Sequence, residues 1–163
     1  MDSIKVLILS DSHGNKSLIQ QVINDEKPDK IFFLGDRIND IYDLKNIVEA
    51  DICAVKGNVD YGMSGVEDLV LSLNGYKMLL THGHKYRINY DYYSLYLKAR
   101  EYEVDFVFFG HTHTYTDFEE NGIRFINPGS ISKPRDHKKG SYVIMALEDR
   151  NIIFTKKTID LSK

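Results

Sequence analysis

The chain has 163 residues, 42% of them hydrophobic and 28% charged, with a formal net charge of −3. That length suits one domain over 1–163 with a real core, and mild acidity argues against a stable nucleic-acid binder while leaving a phosphate substrate open, because a bound metal can supply local positive charge. No apolar run reaches the length of a membrane span, the run within residues 1–10 is too short for a signal peptide, and the single cysteine, Cys53, excludes an internal disulfide; a cytoplasmic protein with Cys53 as a buried, inert thiol is expected.

In chain order, Ile4-Lys5-Val6-Leu7-Ile8-Leu9 predicts a strand whose nearly continuous apolar character suits burial on both faces. It ends in Ser10-Asp11-Ser12-His13-Gly14-Asn15, with Asp11 and His13 two apart. Leu18, Ile19, Val22 and Ile23 recur at helical spacing, so a helix over 16–26 follows, stopped by Pro28. Asp11 and Asn15 could each cap it, and Asn15 is favoured. A second buried strand over 31–34 ends in Gly35-Asp36, and Ile41, Leu44, Ile47 and Val48 mark a second helix. A third strand over 52–55 ends in Lys56-Gly57-Asn58-Val59-Asp60. Alternating strands and helices predict a parallel sheet with right-handed crossovers, whose strand exits share one ligand-binding edge.

Residues 68–73 and 76–80 predict a hairpin around Asn74-Gly75, its second strand running into Thr81-His82-Gly83-His84. A helix is expected over 90–101, with Tyr93, Tyr96, Leu97 and Arg100 at helical spacing and the tyrosines used for packing. The apolar, β-branched and aromatic run over 104–109 predicts a buried strand ending in Gly110-His111-Thr112-His113. Beyond it, 114–118 and 123–126 flank a turn and Asn127-Pro128-Gly129-Ser130 breaks the chain. Lys133, Arg135, His137, Lys138 and Lys139 form a basic loop, and 142–147 and 152–158 make a last pair of strands. The expectation is an α/β fold with a βαβ half and a mainly β half, packed as two sheets with helices outside.

Five of the six histidines fall in three of these strand-exit motifs. Each polar residue has an ordinary reading, the histidines as turn residues and Asp36 and Asn58 as turn chemistry. Their coincidence at strand ends points instead to metal, for which neutral imidazole is the commonest side-chain ligand. Two histidines at i and i+2 could face one ion or flank a pair. Oxygen and nitrogen donors without thiolate suit Mn, Fe, Zn, Co or Ni and exclude a Cys-type structural zinc site. Asp11, His13, Asp36, Asn58, His82, His111 and His113 exceed what one ion needs. Two ions sharing a carboxylate use them more naturally, and a pair about 3.5–4 Å apart can bind a phosphoryl oxygen and create a hydroxide between the ions.

In order, Asp-x-His, Gly-Asp, Gly-Asn, His-Gly-His and Gly-His-Thr-His resemble the motif set of the calcineurin-like metallophosphoesterases, from about Ile4 to Ser130. The short chain and the Asn-Pro-Gly-Ser motif most resemble their small bacterial and archaeal phosphodiesterase branch. The resemblance implies a four-layer α/β/β/α sandwich of two mixed sheets flanked by helices. It implies one divalent ion on Asp11, His13 and His113, a second on Asn58, His82 and His111, and Asp36 bridging them, with Mn ahead of Ni, Fe, Zn or Co. A metal-bridging hydroxide would hydrolyse a small phosphodiester, with the ions and Asn58 stabilising the charge. The alternative on the same fold is a non-catalytic protein-binding scaffold resembling the retromer subunit, against which the intact ligand set argues.

Many members of that family carry His directly after the Gly-Asn asparagine, where it can protonate the leaving group; here Val59 stands there and has no proton to give. His84, beside a candidate ligand, is the candidate acid, with a supporting or solvent role as its alternative. Asp60 is the weaker candidate, since a carboxylate needs a raised pKa to act as an acid. Arg37 could clamp a phosphate oxygen or be a surface arginine, and the basic loop could be solvated or steer substrate. No membrane partner is expected, and the tyrosine-rich helix or the hairpin at Asn74-Gly75 could serve a homo-oligomer. With no assigned acid, leaving groups of low pKa should turn over best. Initial rates under matched metal are expected to favour bis-(nitrophenyl) phosphate over simple alkyl monoesters, and equal or faster monoester turnover would remove that expectation.

Overall fold

In β1 (Ile4–Leu9), Val6 and Ile8 face one side and Leu7 and Leu9 the other, and all four are fully buried. A strand with two apolar faces needs a packed layer on each, and that requirement sets the architecture. The computed structural model describes residues 3–136 and 138–161, so His137 of the basic loop lies outside the described residues. β1 is followed by α1 (Lys16–Glu26), β2 (Lys30–Phe33), α2 (Ile38–Tyr42) and β3 (Asp51–Ala54). Then come β4 (Asp68–Leu73), β5 (Tyr76–Thr81), a 3₁₀ turn (His84–Tyr86), α3 (Tyr93–Tyr102) and β6 (Phe106–Phe108). β7 (Thr116–Glu120), β8 (Ile123–Asn127), β9 (Gly140–Glu148) and β10 (Asn151–Ile159) complete the chain.

One five-stranded sheet has the order β10-β9-β1-β2-β3, and the other β4-β5-β6-β8-β7. β1, β2 and β3 run parallel, as do β5, β6 and β8, while β9, β10, β4 and β7 join antiparallel. Val6, Ile8, Phe32, Met78, Leu80 and Phe108 fill the space between the sheets. Leu7, Leu9 and Phe33 pack under α1 and α2 on one outer face; Leu79, Val107 and Phe125 pack under α3 on the other. This is the four-layer α/β/β/α sandwich of two mixed sheets. Among the described residues, no helix is long and apolar enough to cross a membrane.

The structure departs from the sequence-based expectations at four points. The two sheets do not divide the chain into an early and a late half: β9 returns to pair with β1 (Ile4 opposite Leu147), because a strand buried along nearly its whole length needs an interior place. The second helix stops at Tyr42, and the chain continues in turns such as Ile47 N to Leu44 O, leaving Ile47 62% exposed. Its residues Asn39, Asp40 and Asp43 are weak helix formers, and Asp40 is drawn off to the Ser12–Gly14 loop. In α3 the core face is Leu95 and Ala99, whereas Tyr93 and Leu97 are exposed. Tyrosine looks apolar in a periodicity count, yet its hydroxyl keeps the ring near the surface; the Tyr96 hydroxyl accepts from Asn121 and Arg100. Cys53 is half-buried on β3 rather than fully enclosed, and burial still pushes its thiol pKa up.

α1 starts as expected, with Asn15 accepting from Leu18 N at 3.2 Å. Near its other end, Glu26 is buried against β10. Lys157 Nζ donates to both carboxylate oxygens at 2.8 and 2.9 Å, Lys5 Nζ to one at 3.4 Å, and the Tyr142 hydroxyl to the other at 3.3 Å. Burial alone would raise the Glu26 pKa, but the Lys157 hydrogen bond and charge outweigh it and hold the carboxyl below its usual range. The same burial and the Glu26 charge push the Tyr142 phenol up to about 12. Glu26→Gln is expected to cost about 2 kcal/mol in urea unfolding at neutral pH. Because the folded pKa is the lower one, that stability is present above the unfolded pKa and is lost as pH falls through the folded value. The gap between parent and variant should therefore close below about pH 4, and a gap that stayed constant into acid would contradict this.

Candidate metal centre

Five loops leave the ends of β1, β2, β3, β5 and β6 and meet where the two sheets converge. Asp11 N donates to Gly35 O at 3.0 Å, Gly110 N to His82 O at 3.1 Å, and His111 N to Asp11 Oδ2 at 3.2 Å. The approach is close enough to require glycine at two points. A Cβ on Gly110 would stand 2.1 Å from Ser10 Oγ, and one on Gly57 would stand 2.2 Å from Asp36 Oδ1. The loops also hold unusual backbone. Asp11, His13, Asp36, His111 and His113 have φ of 57°, 49°, 64°, 72° and 60°, left-handed values that cost a non-glycine residue about 1 kcal/mol each.

Buried polar groups hold that backbone in place. Asp60 is buried and accepts four main-chain N–H bonds. Asp36 N and Gly57 N reach Oδ2 at 3.0 and 2.8 Å, and Arg37 N and Ile38 N reach Oδ1 at 2.8 and 3.0 Å. Both oxygens are engaged, so Asp60 ties the Asp36 loop to the Asn58 loop and is no general acid. Asp40 accepts from Ser12 Oγ at 2.7 Å and Gly14 N at 2.6 Å. Asn127 donates to Gly110 O at 3.0 Å and Thr112 Oγ1 at 2.9 Å, and Ser130 Oγ donates to Asp11 O at 2.8 Å. The Asn-Pro-Gly-Ser turn thus buttresses two of the site loops.

All the candidate site residues come together. Asp11, His13, Asp36 and His113 each offer one ligand atom within 4.8 Å of the others. His113 Nδ1 donates to Lys133 O at 2.8 Å, which directs Nε2 to Asp11 Oδ1 at 3.3 Å and His13 Nε2 at 3.2 Å. His82 Nδ1 donates to Leu34 O at 2.7 Å, which directs its Nε2 to Asn58 Oδ1 at 3.1 Å, Asp36 Oδ1 at 3.3 Å and Asp11 Oδ1 at 3.8 Å. Imidazoles pinned through one nitrogen by a backbone carbonyl present the other as a fixed ligand atom. The His111 ring lies 5.1 Å from that of His82, and the half-buried His84 ring 5.5 Å from His82 and 6.3 Å from His111.

Electrostatics agree with a cation site. Burial would lower His82, yet Asp36 and Asp11 outweigh it and raise its pKa, and the nearby Asp11 carboxylate raises His113. Burial would raise Asp36, but His82 outweighs it and holds the carboxyl down. Carboxylates that favour a proton on those Nε2 atoms favour a divalent cation at the same point. Burial pushes His13, His84 and His111 toward the neutral form. The sharpest sign of fit is Asp11 Oδ1, which is fully buried and has no hydrogen-bond donor among the described residues. Such an atom is costly unless a cation meets it.

Residues 4–150 match the calcineurin-like phosphoesterase superfamily domain. The chain belongs to that superfamily. It is 32% identical over 148 residues to the probable metallophosphoesterase YsnB of Bacillus subtilis, covering 90% of this chain and 86% of the relative. A conserved uncharacterized protein of Streptococcus pneumoniae, a predicted phosphoesterase, superposes with a TM-score of 0.81 at 30% identity, covering 97% of this chain and 91% of the other. Vps29 of Entamoeba histolytica complexed with Zn²⁺ gives a TM-score of 0.79 at 22% identity, with 98% and 100% covered, a likeness of fold alone.

Within this calcineurin-like phosphoesterase, sequence reasoning missed the four-donor role of Asp60, the Asp40 contact and Asn89, whose Nδ2 lies 3.2 Å from His111 Nε2. None carries a local signal beyond a polar residue near a motif. Asp60→Asn would set an amide NH₂ against main-chain N–H groups. It is expected to lower stability by about 3 kcal/mol and to weaken metal affinity about 10–100-fold, read by urea unfolding and calorimetric titration. Lost stability with parent-like metal affinity would mean that the clamp does not set the ligand geometry.

Proposed function

We propose that this phosphoesterase-family chain is a dinuclear, divalent-metal-dependent phosphodiesterase. The observation that carries the reading is Asp11 Oδ1, a buried carboxylate oxygen without a donor, set between the Nε2 atoms of His113 and His82. Asp11, His13 and His113 would hold one ion, and Asn58, His82 and His111 the other. Asp36 would serve both, because it belongs to the Asp11 cluster and also meets His82. Mixed oxygen and imidazole donors suit Mn, Ni, Fe, Zn or Co, and Mn is the ion proposed first. Bound ions would supply Lewis acidity toward a phosphoryl oxygen and an activated water as nucleophile.

The chain's own residues do the rest. Val59 N donates to Asp36 Oδ1 at 3.2 Å and fixes that carboxylate's orientation. Asn58 is exposed, so its amide is free to donate to a substrate oxygen as charge develops there. His84 stands beside His82 and His111, and burial and the His82 charge push it toward the neutral form. It is therefore suited to hydrogen bonding on the leaving-group side more than to delivering a proton at neutral pH. With Val59 at the position that would carry an acid, activated diesters are the favoured substrates.

The test is hydrolysis of bis-(nitrophenyl) phosphate by chelator-stripped protein before and after Mn²⁺, with Asp36→Asn alongside. Mn²⁺ should restore parent activity, the variant should stay roughly 100-fold lower or worse, and titration should give two ions per parent chain. Tight metal binding without hydrolysis under any divalent ion would favour a scaffold role on the shared fold. Failure to bind metal would overturn the reading.

A further inference from the structure

The two flanks of the centre differ in charge. Arg37, Lys133 and Arg135 border the His13–His113 side. Arg37 directly follows Asp36 with φ of 76°, where glycine would sit without strain. Its Nη2 lies 3.8 Å from the place a Cβ on Gly14 would occupy, next to His13. Lys133 and Arg135 lie in the chain that wraps His113: Lys133 O accepts from His113 Nδ1, and Arg135 N donates to His113 O at 3.0 Å. All three residues are exposed, and none forms an ion pair with a carboxylate among the described residues.

The acids near this flank have other work. Asp11 and Asp36 are candidate ligands, and Asp40 holds Ser12 and Gly14. Asp43 pairs with Lys16, and Asp136 accepts from Tyr115 N at 3.0 Å. The three cations are therefore left without a carboxylate partner beside the centre. Beyond His82 and His111, Arg87 also has no carboxylate partner among the described residues, but its guanidinium lies against the Tyr90 ring rather than beside the candidate ligands. Asn89 meets His111, Tyr90 is exposed, and Lys85 pairs with Glu67 and Asp68.

We propose that the Arg37–Lys133–Arg135 flank is a subsite for a second phosphate, so that the substrate is a phosphodiester carrying a further phosphate on the His13–His113 side of the scissile phosphorus. This rests on the phosphodiesterase reading of the centre. Three unpaired cations, two of them with planar guanidinium forks, match a dianionic phosphate better than a monoanionic carboxylate. The uncharged remainder of the substrate lies toward Asn89 and Tyr90.

The experiment compares the dinucleotide pTpT, which carries a terminal phosphate, with TpT, which lacks it, on the parent and on the combined Arg37→Gln, Lys133→Gln, Arg135→Gln variant. The ratio of kcat/KM for pTpT to that for TpT should be about ten or more in the parent, should fall as salt is raised, and should approach one in the variant. A readout without turnover uses melting temperature. Thymidine bisphosphate should stabilise the Mn-loaded parent more than thymidine monophosphate does, and the variant should lose that difference; its melting temperature without ligand reports that it folds. A parent ratio near one, or a preference that survives in the variant, overturns the subsite. If neither dinucleotide is cleaved while bis-(nitrophenyl) phosphate is, the melting shifts decide whether a second phosphate binds; if the activated diester also survives with every divalent ion, the phosphodiesterase reading fails.

Discussion

The Asp11 carboxylate joins the two sheets. Its Oδ2 accepts from Ser10 Oγ at 2.6 Å and from His111 N at 3.2 Å, so one oxygen spans the gap between the end of β1 and the end of β6. Its Oδ1 is left facing His113 and His82, one of them from each of the two β-strand exits of the second sheet. The interface that buries Phe32 against Phe108 thereby also sets the spacing of the polar groups at its rim. Gly110 is the condition for this, because any side chain there would collide with Ser10 and Asp11. Core packing and site geometry are one constraint.

Holding that geometry is costly, and the chain offsets the cost with buried carboxylates that never face substrate. Five candidate ligands sit in left-handed backbone, which a free loop of Asp and His would relax. Asp60 takes four N–H groups from the two loops around Asp36 and Asn58, and Asp40 takes the loop around His13. Each buried charge is met by main-chain dipoles or a hydroxyl, which satisfies it without a neutralising cation. Asp11 and Asp36 are thereby left as the carboxylates whose charge is directed at the centre. Function and stability draw on different acids only a few residues apart.

This division accounts for what is legible in the sequence. β1, α1 and the hairpin at Asn74-Gly75 are legible because their patterns are local: continuous apolar runs, a helical stripe with Asn15 ahead of it, and a turn dipeptide. The candidate site is legible because ordinary turn chemistry does not place Asp, Asn and paired His together at five strand exits, and four of those residues, Asp11, His13, Asp36 and His113, converge in space. The return of β9 to β1 is invisible because it depends on which strand is buried on both faces, a property of the assembled sheets. Periodicity places Tyr93 and Leu97 on the core face of α3, where Leu95 and Ala99 stand instead with Tyr96 partly buried beside them, because tyrosine counts as apolar while its hydroxyl favours the surface. Asp60 resembles an acid because a carboxylate beside Asn58 has the same sequence signature whether it faces substrate or four amides.

Charge balance then links the buried acids to the character of the substrate. In the proposed two-ion centre, with His13, His82, His111 and His113 as neutral ligands, Asp11 and Asp36 would contribute two negative charges against the four positive charges of two divalent ions. The surplus of two is what a monoanionic diester and an anionic nucleophile together would neutralise, so the ligand set by itself matches a simple diester. A second phosphate brings charge that this balance does not cover and that needs cations outside the ligand set. Arg37 is placed to supply one by the same strained turn that presents Asp36, and Lys133 and Arg135 are placed by the same chain that orients His113. The residues that aim the candidate ligands and the cations proposed to extend the field are neighbours in sequence, so a subsite beyond the scissile phosphorus would follow from how those ligands are held.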